Sequence, residues 1–283
     1  MSLSKDEEII RRGYKEIPAS INPSCELMRT IDEISYFPSI TRNFKIKKLT
    51  KEIALSNSKS FLTEHFNIHD VLVATPLKED YPVLRVMKDS PFNIPIVEEE
   101  IKSVFSGSVI EFFPDDIKQI LFKGIVLGIP YTEQTSVSYV HEVTHIELDS
   151  IPSIVSEYYN SEVLSIFLEL LYSYSTGENL LRVNESNRIL ELVNMLEIVL
   201  TTSKEERDTL LEGSKYICST LKALALFINY YYGSSSIKKE ILSRVQNVFD
   251  GALQLEELLS KYDITYESSQ DEKRLKKYFS RGQ

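Results

Sequence analysis

Cysteine, basic charge and long apolar runs are all scarce in this chain, and each scarcity excludes something. Only Cys25 and Cys218 occur, far apart and without metal-ligand or redox spacing, so both read as ordinary reduced thiols. Lys and Arg total 32 against 42 Asp and Glu, a formal net charge of −10. That balance argues against nucleic acid and against anionic membrane surfaces, which both draw on clustered cations. No stretch approaches the roughly 18 apolar residues of a membrane span, and the charged start Met1-Ser-Leu-Ser-Lys-Asp-Glu-Glu lacks the apolar core of a signal peptide. Neither an internal repeat nor a low-complexity linker is visible. The expectation is a cytoplasmic protein, away from membrane, whose partner is a peptide or an unfolded protein segment.

What is present is apolar side chain, 42% of 283 residues, enough to bury a substantial core. The first twenty residues are polar. Asn22-Pro23-Ser24 then offers a cap and a first-turn proline for a helix ending before Pro38. A second helix is expected from Thr50 to Phe66, with Ile53, Phe61, Leu62 and His65 near one face. Between Val71 and Ile129 lie short apolar runs broken by Pro, Gly and Asp: Val71-Leu-Val-Ala, Val83-Leu-Arg-Val, Val109-Ile-Glu-Phe-Phe and Ile125-Val-Leu-Gly-Ile. These predict one small, mostly antiparallel sheet. From Thr132 onward the periodicity is helical, with breaks near Ser150-Ile-Pro152, Thr176-Gly177, Thr201 to Ser203, Gly233 to Ser236 and Gly251. The fold class is therefore mainly α with a small antiparallel β-sheet. The working division is a helical and β part over 1–131 and a helical part over 132–283, which together can form one compact unit.

Chemistry concentrates in Ser136-Val-Ser-Tyr-Val-His141-Glu142-Val-Thr-His145, a His-Glu-x-x-His sequence on a helix. Histidines four apart stand one above the other on one helical face, within reach of a single tetrahedral cation. Glu142 sits about 100° around from His141, so its carboxylate can act beside the metal without binding it. Zinc lowers the pKa of a coordinated water to about 7, which leaves a neighbouring carboxylate the task of taking its proton. Such a pattern can arise by chance on an amphipathic helix, yet four histidines in the whole chain make a random match rare.

Two histidines need a further ligand. The following helix carries Glu157, Glu162 and Glu169 among Ile, Val, Leu and Phe, and the break at Ser150 to Pro152 lets it fold back on the first. Glu162 and Glu169, seven apart, share a face, from which Glu157 is rotated by roughly 140°. Acidic residues in apolar surroundings are costly unless a cation or partner compensates them.

These motifs resemble the zinc peptidases that include oligoendopeptidase F and thimet oligopeptidase. There, His-Glu-x-x-His is followed by a helix with a metal-binding Glu, a Ser three residues on and a second Glu seven residues on. Glu162, Ser165 and Glu169 match that spacing. The resemblance implies a gluzincin-like catalytic fold holding Zn2+, with Glu162 as third ligand and Glu169 orienting a ligand histidine. Lys215-Tyr216-Ile-Cys-Ser-Thr-Leu resembles that family's tyrosine helix and makes Tyr216 the candidate oxyanion donor. The chain departs from the family in three places. Thr144 and Leu148 stand where Gly and a further His are common, no histidine precedes the tyrosine helix around Glu205 to Asp208, and only about 130 residues precede the metal motif.

Together these readings point to a zinc-dependent metallopeptidase, with Glu142 as general base and an exposed strand, Val109 to Phe113 or Ile125 to Ile129, holding the substrate backbone. The alternative is a zinc-binding interaction module on the same scaffold, weak or inactive in catalysis. Smaller features have plainer explanations. His65 and His69 read as surface or core histidines, and Tyr230, Tyr231 and Tyr232 as packing residues. Glu98-Glu99-Glu100 reads as a helix start, and 271–281 as a solvated final helix.

Overall fold

The computed structural model describes residues 47–68, 71–76, 84–85, 107–112, 122–127, 131–149, 151, 158–203 and 206–262. The helix expected after Asn22, Cys25, His69, Glu98 to Glu100, Glu157 and the segment 271–281 lie outside them.

Helix α1 (Lys51–Phe66) starts where the Thr50 side chain accepts from the Ile53 backbone N–H at 3.3 Å, satisfying one of the donors a helix start leaves open. It stops at Asn67, whose φ of 52° lies in the left-handed region, and the Ile68 N–H turns back to the Leu62 carbonyl at 3.3 Å. Its buried face is Ala54, Leu55, Ser58, Phe61, Leu62 and Phe66. The expected face is thus corrected at two positions: Ile53 is 49% exposed, and His65 is exposed with its ring against Phe61. The neighbouring helices approach from the Ala54–Leu55 side, which periodicity alone does not distinguish.

The four apolar runs supply β1 (Leu72–Pro76), β2 (Leu84–Arg85), β3 (Gly107–Phe112) and β4 (Phe122–Leu127), ordered β2-β1-β4-β3. β3 and β4 pair antiparallel, Gly107 opposite Leu127 and Phe112 opposite Phe122, and β1 and β2 are also antiparallel. β1 and β4, however, run parallel, with Val73 opposite Ile125. The small sheet is therefore antiparallel in two of its three pairings, and the parallel pair departs from a purely antiparallel sheet because the long connection between these two strands brings the chain back in the same direction. β4 has a neighbour on each side, so the run from Ile125 is interior, whereas β3 has one partner among the described residues.

Helix α2 (Glu133–Leu148) carries the histidine pair. Thr132 and Thr135 cap it reciprocally: the Thr135 N–H donates to Thr132 Oγ1 at 3.3 Å and the Thr132 N–H to Thr135 Oγ1 at 2.9 Å. A bridge between Lys48 and Thr132, with the Leu49 N–H on the Tyr131 carbonyl at 3.0 Å, pins this start to the residues preceding α1. α2 packs against α1, β3 and β4 and is buried around its circumference. Its polar residues are therefore interior, and their arrangement calls for compensation.

Among the described residues five helices follow: α3 (Tyr158–Thr176), α4 (Glu178–Thr201), α5 (Arg207–Tyr232), α6 (Ser235–Phe249) and α7 (Leu255–Tyr262). Gly177 alone separates α3 from α4, at φ 149°, a conformation that side chains rarely adopt. Contacts from Asn184 to Ser173 and from Arg188 to Glu169 show α4 folding back antiparallel along α3. α3 lies among α2, α4 and α5, and α5 in turn holds α6 and α7. One apolar core joins these helices to α1 and β4. Within it Phe61 meets Tyr172 edge-on at 5.3 Å between centroids, and Phe66 meets Phe249 at 5.8 Å. Tyr230, Tyr231 and Tyr232 pack half-buried against that core, Tyr231 against Tyr174, with Lys238 Nζ 5.3 Å from the Tyr230 ring centroid. Among the described residues no helix is long and apolar enough to cross a membrane.

Candidate metal centre

α2 and α3 cross where the histidines face Glu162. The His141 and His145 Nε2 atoms lie 3.0 Å apart, and Glu162 offers one oxygen to each, at 3.6 Å from His141 Nε2 and 3.4 Å from His145 Nε2. One ligand atom from each of the three residues lies within 4.8 Å of the others, a group that could hold a metal ion. Glu162 is buried and its Oε2 has no hydrogen-bond partner, an arrangement that a cation would relieve. Two imidazole nitrogens and a carboxylate are a donor set that suits zinc. The residues present therefore fit the group.

The far side of each imidazole is also held. His145 Nδ1 lies 2.9 Å from Ser161 Oγ, and His141 Nδ1 lies 3.1 Å from Glu169 Oε2. Glu169, an acceptor, holds a proton on His141 Nδ1, the Ser161 hydroxyl can accept from or donate to His145 Nδ1, and the two Nε2 atoms face each other and Glu162. Ser161, Glu162 and Glu169 all come from α3, which is why the seven-residue spacing matters: two turns separate the carboxylate facing the Nε2 atoms from the one behind His141. Helix α4 closes the site from behind. Arg188 forks onto Glu169 through Nε and through Nη2 at 2.5 Å, while its Nη1 donates to Glu191 at 2.5 Å and to Tyr216 Oη at 2.9 Å. The Tyr216 hydroxyl donates in turn to Glu191 at 3.1 Å.

Charge follows the geometry. Burial pulls the His141 pKa down, but the hydrogen bond to Glu169 and the charges of Glu169, Glu162 and Glu142 outweigh it and raise the value to about 9. Burial pushes Glu162 up, and the bond to His145 with the charges of His141, His145 and Arg188 brings it down to about 2. Glu169 is likewise lowered, its burial outweighed by Arg188 and His141. Burial raises the Tyr216 phenol well above its usual range, Arg188 opposing and the surrounding carboxylates adding.

A cleft of about 330 Å³ opens onto this cluster, with His141, Glu142, Glu162, Arg188, Glu191 and Tyr216 in its wall. The structure thus brings His141, His145 and Glu162 together, sets Glu169 behind His141, and places Glu142 and Tyr216 on the same cleft. Sequence reasoning missed Ser161, Asn184, Arg188 and Glu191. The signal existed on α4, where Asn184, Asn187, Arg188, Glu191 and Asn194 recur at intervals of three residues or one, forming a polar stripe along the cleft. Comparison with protein-family models, with curated proteins and with solved structures found no match.

Proposed function

We propose that the chain is a zinc-dependent peptidase, with His141, His145 and Glu162 as ligands and Glu142 as general base. The observation that carries this reading is the position of Glu142. It lies on the wall of the cleft next to the cluster, and is not one of the three residues grouped as ligands. A structural metal site has no use for such a carboxylate. Bound zinc supplies Lewis acidity for a peptide carbonyl and acidifies water. Glu142 then takes the proton of the attacking water and delivers it to the leaving amine. Glu169 and Ser161 keep both imidazoles oriented, and the Tyr216 hydroxyl supports the developing oxyanion once it turns from Glu191. The peptide or unfolded segment is held in extended form along β3, which has one paired neighbour among the described residues, by addition of a further strand. The helix that carries the histidine pair packs on β3 and β4, which supports this reading.

One observation favours a second reading, a zinc-binding module with little turnover. The Tyr216 hydroxyl is engaged by both Arg188 and Glu191, so the donor assigned to the oxyanion is already occupied. Metal content and cleavage of a mixed peptide library separate the two. About one zinc per chain, with cleavage lost in Glu142→Gln, supports the peptidase. Zinc without cleavage supports the module, and protein that binds no zinc excludes both.

A further inference from the structure

We infer that Arg188 is the positioning residue of the metal centre, acting through Glu169 to hold His141 in its ligating orientation. The inference rests on the metal-site reading and extends it to a helix outside both sequence motifs. Arg188 is nearly buried, with 12% of its side chain exposed, and Glu169 is sealed at 1%. A carboxylate so deep must be compensated, and a guanidinium fork that meets both of its oxygens does so with fixed geometry. The same fork decides where Glu169 points. With Oε2 held by Arg188 Nη2 at 2.5 Å, that oxygen stands 3.1 Å from His141 Nδ1 and accepts its proton. Arg188 Nη2 lies 3.5 Å from the same nitrogen, farther than the carboxylate, and as a pure donor it cannot take that proton. His141 therefore carries a hydrogen on Nδ1 and presents Nε2 to His145 and Glu162, where its lone pair is the one available to a metal. At His145 the neutral Ser161 hydroxyl stands in the corresponding place, 2.9 Å from Nδ1. The chain from Arg188 through Glu169 to His141 is charge-assisted at each link.

The test measures zinc affinity of the full chain by competition with a chromophoric chelator, for the wild type, Arg188→Lys, Glu169→Gln and the double variant Arg188→Met/Glu169→Gln. Lysine keeps the charge and loses the fork, and the double variant removes the buried charge that Arg188→Met alone would strand. The expected result is a loss of about 10- to 100-fold in affinity for Arg188→Lys. In the Glu169→Gln background, Arg188→Met should add less than about twofold, because the route through Glu169 is already cut. Nitrogen-15 spectra of the zinc-loaded imidazoles supply a second readout: His141 should keep its proton on Nδ1 in the wild type and show an altered Nδ1–H signal in Arg188→Lys. Wild-type affinity and an unchanged signal in Arg188→Lys would overturn the inference, as would a further loss of about tenfold or more from Arg188→Met in the Glu169→Gln background. If the wild type binds no zinc, the metal-site reading fails first and the inference goes with it.

Discussion

The Nε2 atoms of His141 and His145 point at each other across 3.0 Å, with the Glu162 carboxylate facing both. Without a cation, two basic nitrogens so close compete for one proton, and a buried carboxylate oxygen is left unsatisfied. Purified protein is therefore expected to carry about one zinc, measurable by atomic emission. Removing it with a chelator should lower the Tm by several degrees, since a ligand at about a thousand times its Kd stabilises by about 4 kcal/mol. His145→Ala should hold no zinc, and its Tm should not respond to the chelator. A Tm that responds equally in both proteins would refute the ligand assignment.

Glu142→Gln isolates chemistry from binding. Glutamine preserves size and hydrogen bonding but cannot take a proton, and Glu142 is not among the three grouped ligand residues. Zinc content and Tm should stay at wild-type levels while peptide cleavage falls by about 10²- to 10⁴-fold. Loss of zinc in this variant would instead make Glu142 a ligand.

The metal-stripped protein should show a stability window in pH. His141 is raised to about 9 in the fold, so its contribution is complete below its ordinary value of 6.5 and is lost as pH climbs through 9. Glu162 is depressed to about 2, so its contribution is complete above its ordinary value of 4.5 and is lost as pH falls through 2. The group is most stabilising between about pH 4.5 and 6.5, where both conditions hold. Zinc reverses the alkaline limb, because ligand imidazoles must be neutral and metal binding releases their protons. Urea midpoints of the stripped protein should decline from pH 6.5 to 9, while the zinc-dependent increment grows over the same range. Parallel profiles with and without zinc would count against His141 as a ligand.

Much of this was legible in the residues, for definite reasons. The histidine pair and the Glu162, Ser165, Glu169 series lie within single helices, where 3.6-residue periodicity fixes which side chains share a face. Gly177 marks the turn between α3 and α4 because few other residues tolerate its backbone, and Thr132 marks the start of α2 because a hydroxyl is needed there. What depends on tertiary packing was not legible. The face of α1 was misplaced at Ile53 because the side from which neighbours approach is not encoded in one helix. Parallel pairing of β1 with β4 depends on the path of a long connection rather than on either strand. Arg188 was missed because its partners Glu169 and Tyr216 lie 19 and 28 positions away, on two other helices.

Tyr216 offers the sharpest separation between a peptidase and a binding module. Its hydroxyl accepts from Arg188 at 2.9 Å and donates to Glu191 at 3.1 Å, so Tyr216→Phe removes one oxygen and leaves Arg188 still paired with Glu169 and Glu191. The imidazoles and Glu162 keep their own contacts, and zinc affinity should change by less than about threefold. If the phenol serves the oxyanion, kcat should fall by about 10²- to 10³-fold with KM little altered, as for a donor engaged only in the transition state. If it serves only to brace Arg188 and Glu191, kcat should be nearly unchanged and the loss should appear in Tm. Steady-state kinetics on one good peptide, with Tm measured on the same preparation, distinguishes them. A fall in kcat at constant Tm requires the tyrosine to leave Glu191 during turnover, which makes Glu191→Gln the matching variant. With a neutral amide in place of the carboxylate, Tyr216 is held less firmly, and kcat should rise or stay level rather than fall.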